Sequence, residues 1–221
     1  MEFEIPTDYE TEQYEMKALN EVKQQISKYG YKKNGNSFWK IENGFYKLIH
    51  FQAGAYGDYF FINVALHPDG FPMLYTKQLE ITKRPKESQC ILRQRVERIS
   101  DKANTFPHKI GFIGDVENMQ ILLAAIMPDI ELWMNKWGNW ETILSSGFEE
   151  ISNMFSAAPL VWKKEFFLLK SYCALAVGKC TEANKYFSAY IKENPDMDFS
   201  LVDNYMLELI NSHLSVKKKQ R

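Results

Sequence analysis

A chain of 221 residues that is 45% hydrophobic and 14% aromatic can bury a large core, so a globular protein of one large domain or two small ones is expected. With 25% charged residues and a formal net charge of -1, composition speaks against disorder and against a broad nucleic-acid-binding surface.

The first residues, Met1-Glu2-Phe3-Glu4-Ile5-Pro6, lack the basic start and apolar run of a signal peptide. No stretch approaches the roughly 18 apolar residues of a membrane span, so a cytoplasmic protein without membrane contact is expected. Tyr14, Leu19, Val22 and Ile26 recur at helical spacing among charged residues and predict an amphipathic helix over residues 8–29, closed by Gly30. Asn34-Gly35-Asn36 reads as a turn before a short strand at Phe38-Trp39-Lys40-Ile41. Glu42-Asn43-Gly44 is a second turn, and Phe45 to Gln52 a second strand.

Residues 59–66 alternate clearly, with Phe60, Ile62, Val64 and Leu66 on one face and Tyr59, Phe61, Asn63 and Ala65 on the other. Residues 90–99 read as an outer strand with Ile91, Arg93 and Arg95 on one side. Turns this short favour antiparallel pairing. From Val116 the period turns helical, with an interruption expected at Pro128. Further helices are expected over residues 141–154, 160–177, 181–193 and 200–214. The fold class is therefore α+β: an N-terminal helix plus antiparallel sheet, then an all-helical C-terminal half. The expected division is residues 1–110 and 111–221, packed together without a flexible linker.

The candidate chemical sites are weak. Cys90, Cys173 and Cys180 are odd in number and have no CxxC spacing, which fits reduced thiols. His67-Pro68-Asp69 has no complementary ligand motif, so no metal and no cofactor is expected. Asp58, Asp69, Glu80 and Lys83 make the best nuclease-like set, with magnesium held at a phosphodiester, but Glu80 and Lys83 have a looser spacing than such sites use. Ser145-Ser146-Gly147 is no nucleophile elbow, and Gly111 to Asp115 is too short for a phosphate loop.

Two resemblances stand beside these readings. The series Tyr29-Gly30-Tyr31-Lys32-Lys33-Asn34-Gly35, Phe38-Trp39, His50-Phe51-Gln52, Phe60-Phe61-Ile62-Asn63 and Cys90-Ile91-Leu92-Arg93-Gln94-Arg95 resembles the bacterial DUF4304 family, a domain of unknown function, over about residues 10–100. The resemblance implies an α+β domain and an association with immunity genes beside toxin genes. This chain has Tyr31 where phenylalanine is usual and Ala65 where glycine is usual. Residues 174–195 resemble one tetratricopeptide-type helical hairpin, with Gly178 at its turn and Ala183 and Phe187 between the helices.

The favoured function is a non-enzymatic protein-binding module, of the immunity type that neutralises a bacterial toxin. The alternatives are a divergent metal-dependent phosphodiesterase and a helical-repeat scaffold. A protein partner is expected and no nucleic acid; oligomeric state is not readable. Arg93, Arg95 and Arg98 are candidate contacts for a carboxylate-rich partner, and Trp133 and Trp137 are candidate aromatic anchors.

Overall fold

A computed structural model describes residues 8–54, 60–74, 79–81, 84–105, 116–154, 162–193 and 201–219. An N-terminal helix, α1 (Asp8–Ser27), precedes β1 (Lys32–Asn34), β2 (Ser37–Glu42), β3 (Phe45–Ala53), β4 (Phe60–Pro68) and β5 (Leu92–Arg95). The strands form one antiparallel sheet in the order β1-β2-β3-β4-β5. A 3-10 turn (Val96–Arg98) follows, then α2 (Asp101–Thr105), α3 (Val116–Trp137), α4 (Trp140–Ser145), α5 (Phe148–Ile151), α6 (Trp162–Ala176), α7 (Cys180–Lys192) and α8 (Leu201–Lys219). The α+β class, with a helical C-terminal half, is as the residue patterns imply. Among the described residues no helix is long and apolar enough to cross a membrane.

The chain divides into two compact units that interleave in sequence. The first holds Met1–Leu66 with Arg93–Asn135, the second His67–Leu92 with Lys136–Arg221.

In the first unit the β2–β3 hairpin is set by a two-residue turn at Asn43 and Gly44. Their φ values of 54° and 80° match the twist of the flanking strands. The register pairs Ser37 with His50, Trp39 with Leu48 and Lys40 with Lys47. Phe38, Phe51 and Phe60 form a chain of edge-to-face rings on one side of the sheet. Leu19, Val22 and Ile26 of α1 are buried, as the helical spacing implies, whereas the side chain of Tyr14 lies outside the described residues.

Four elements differ from the residue pattern. The helix expected over residues 141–154 is broken at Ser146 and Gly147 into α4 and α5, with a 3-10 turn at Ser152–Met154 behind them. The segment 32–34, for which the residue pattern gives no strand and whose Asn34 it places in a turn, pairs with β2 as an edge strand, Lys32 opposite Trp39. The outer strand is only four residues long, because Val96 starts a 3-10 turn. Finally, α3 runs through Pro128 without a break. Both Pro128 and Ala124, whose carbonyl loses its donor, are on the exposed side, where water can replace the missing hydrogen bond.

In the second unit α6 and α7 pack around the turn at Gly178, and Ser171 Oγ donates to the Ala183 carbonyl at 2.9 Å. Tyrosines of α6 and α8 clasp the turn that follows β4. The Tyr172 hydroxyl donates to the Asp69 carbonyl at 2.6 Å, and the Tyr205 hydroxyl to the Gly70 carbonyl at 2.9 Å. Gly70 has φ +80°, and a Cβ there would lie 2.5 Å from the Tyr172 hydroxyl. Gly70→Ala is therefore expected to destabilise this unit by roughly 2 kcal/mol through strain and collision together. Tyr172→Phe, which loses one hydrogen bond, is expected to cost about 1 kcal/mol. Denaturant midpoints of the two variants check the ranking.

Candidate functional site

One face of the sheet in the first unit collects polar side chains from β2 to β5. The register puts Ser37 and His50 side by side, and Ser37 Oγ and His50 Nδ1 are 2.9 Å apart. Two residues on, Gln52 returns to the same face, where its Oε1 accepts a hydrogen bond from Asn63 Nδ2 at 3.1 Å. That contact fixes which side of β4 faces this way, and Phe61, two residues before Asn63, shares it. The Arg95 guanidinium lies over the Phe61 ring, its carbon 4.0 Å from the centroid. Arg95 thereby joins the face, and Arg93 with it by alternation.

Arg95 is partly buried, and among the described residues no carboxylate pairs with it. The Phe61 ring holds one side of the guanidinium by a cation–π contact, and the planar fork keeps its N–H donors as a fixed set. Asn63 is nearly buried and Gln52 exposed, so the amide pair grades from the sheet to its surface.

The other candidate residues lie elsewhere. Arg98 is exposed on the 3-10 turn after β5. Trp133 is partly exposed on α3, and α3 covers the opposite face of the sheet, because its Glu131 and Asn135 reach Lys40 and Lys47. Trp137 is 5% exposed and belongs to the second unit, with the Lys136 ammonium 4.5 Å above its ring. Its burial takes it out of any partner-facing surface.

Of the nuclease-like set, Asp58 and Lys83 lie outside the described residues, and Asp69 and Glu80 are exposed in the second unit. Among the described residues no group of three or more His, Cys, Asp or Glu side chains is placed to hold a metal ion. His67 is 1% exposed, with Nε2 2.9 Å from the Phe71 carbonyl, and burial lowers its pKa to about 4. It is a neutral imidazole that donates to that carbonyl. The three cysteines are free and buried, and burial pushes the Cys173 thiol well above its usual range.

The residue pattern missed a polar cluster on the face that α3 covers. Lys40 Nζ binds Glu131 Oε2 at 2.8 Å and lies 4.6 Å over the Tyr31 ring. Lys47 binds the Glu42 carboxylate and, at 2.7 Å, Asn135 Oδ1. Burial raises the Tyr31 hydroxyl's pKa, and the Glu131 charge adds to that. The signal was present in Phe45-Tyr46-Lys47-Leu48-Ile49, where a lysine holds a place that alternation reserves for the core. The cluster closes a helix onto a sheet, and its members are engaged with each other.

Residues 22–121 match the family model described as Domain of unknown function (DUF4304), which bears out that resemblance. The match begins in α1, ends in α3 and contains every residue of the polar sheet face. No curated protein and no solved structure matches the chain.

Proposed function

We propose that this protein is a non-enzymatic, cytoplasmic protein-binding module of the immunity type, and that it meets its partner through the polar sheet face of the first unit. The single observation that supports this most is the partly buried Arg95 guanidinium, held over Phe61 with no carboxylate paired to it among the described residues. An arginine already fixed by stacking loses little rotamer entropy on docking, which is a property of interface anchors.

The polar positions that carry the DUF4304 resemblance, His50, Gln52, Asn63, Arg93 and Arg95, also share this face.

Co-expression with the products of adjacent genes tests the reading. A toxin-like neighbour is expected to co-purify with the protein, and Arg95→Glu to weaken that complex about a hundredfold by calorimetry without changing the thermal midpoint. If no neighbour binds, or if the complex forms equally well with Arg95→Glu, this function or this face is wrong.

A further inference from the structure

We infer that the Arg95 guanidinium edge is the receptor for a single aspartate or glutamate side chain, presented by an acidic segment of the partner protein. The inference rests on the protein-binding reading for the bearer of the carboxylate, and on geometry for the carboxylate itself.

The Phe61 ring covers one side of the Arg95 guanidinium, its carbon 4.0 Å from the centroid, and no carboxylate among the described residues takes its N–H donors. A guanidinium edge offers parallel N–H donors matched to the two oxygens of one carboxylate, and such a pair is shorter and stronger than neutral hydrogen bonds. The aromatic beneath and the partial burial of the side chain keep water from screening the pair on that side, which strengthens it. Gln52 lies along the same face. Its Oε1 accepts from Asn63, so its amide N–H groups remain as donors for a neighbouring carbonyl of the same segment.

Charge balance favours a carboxylate over a phosphate chain. The face carries Trp39, His50, Gln52 and Asn63 around two arginines, without the run of lysines that tracks a polyanion, and the net charge of the protein is -1. One acidic side chain within a mixed polar segment complements this distribution, while a nucleic-acid backbone does not.

The test is an NMR titration of the Arg95 Nε–Hε resonance in the full chain. Three probes are used: acetyl-glutamate amide, acetyl-glutamine amide and inorganic phosphate. The glutamate probe is expected to give a saturable shift in the range of about 5–50 mM, and the glutamine probe none. Arg95→Lys keeps the charge but not the fork, and is expected to weaken binding about tenfold, read from backbone amides of β4 and β5. Equal shifts with the glutamine probe, tighter binding of phosphate, or an unchanged affinity in Arg95→Lys each overturn the inference. A partner held equally by wild type and Arg95→Lys overturns it while the protein-binding reading stands. Glutamate captured at Arg95 with no partner from adjacent genes sustains the site and removes that reading.

Discussion

Glu42→Ala is expected to destabilise the first unit by about 3 kcal/mol, more than the removal of Lys47, the cation it neutralises. Lys47 is 0% exposed, whereas the Glu42 side chain is 44% exposed. Without Glu42 the buried ammonium keeps only the neutral Asn135 oxygen, and stripping a buried charge of its partner costs several kcal/mol. Lys47→Met removes the buried charge itself. Glu42 is then free to take water and retains Lys40 at 3.6 Å, so a cost of about 1 kcal/mol is expected.

Hydrogen exchange of the β2 and β3 amides measures both variants within the unit concerned, and the opposite ranking would disprove the account. The Lys47 hydrogen bond, with the Lys47 and Lys40 charges behind it, holds the Glu42 carboxyl below its usual value of 4.5. The stabilisation from this pair is therefore fully present above pH 4.5 and is lost as pH falls through the lowered value.

In the second unit Glu165→Met is expected to increase stability at pH 8 by about 2 kcal/mol and to flatten its pH dependence. Glu165 is 2% exposed on α6, neither carboxylate oxygen has a hydrogen-bond partner among the described residues, and burial raises its pKa from 4.5 to about 8. Between those values the folded chain keeps a proton that the unfolded chain gives up. Stability therefore falls as pH rises, by at most about 1.4 kcal/mol per unit.

His67 acts in the opposite sense lower down. Its pKa falls from 6.5 to about 4 on folding, so it costs stability as pH falls through that window. The two groups oppose each other from pH 4.5 to 6.5, and from 6.5 to 8 the Glu165 effect continues without the opposing His67. Denaturant midpoints at pH 6.5 and 8 are expected to drop in the wild type and to stay level in Glu165→Met. A wild type that gains stability over that interval would refute the assignment.

Much of the architecture was legible in local chemistry. Asn43 and Gly44 specify their turn, the alternation from Phe60 to Leu66 specifies β4, and the apolar stripes specify the long helices. The features that were not legible depend on partners far away in sequence. The Lys-Lys-Asn segment of β1 has poor strand propensity and is a strand because β2 pairs with it. Pro128 signals a break, but a proline on the solvent side of a helix lets water take the orphaned carbonyl. Alternation put Arg93 and Arg95 on one side of their strand, yet it carried no information on Phe61, Gln52 or Asn63. That placement comes from the pairing of β3, β4 and β5, which is tertiary. The two tryptophans had helical spacing, and spacing alone does not distinguish Trp133, partly exposed, from Trp137, buried.

The interleaving of the two units governs the order in which contacts can close while the chain is being made. Lys47 leaves the ribosome 88 residues ahead of Asn135, which at roughly 5–20 residues per second is a wait of about 4–18 s. The residues from His67 to Leu92 appear within that interval, and their own partners in α6 and α8 come later still. A nascent chain of this protein therefore holds a sheet whose buried Lys47 has Glu42 but not yet Asn135, uncovered by α3, for seconds. Chaperone occupancy on translating ribosomes should peak there and decline once residue 135 has emerged.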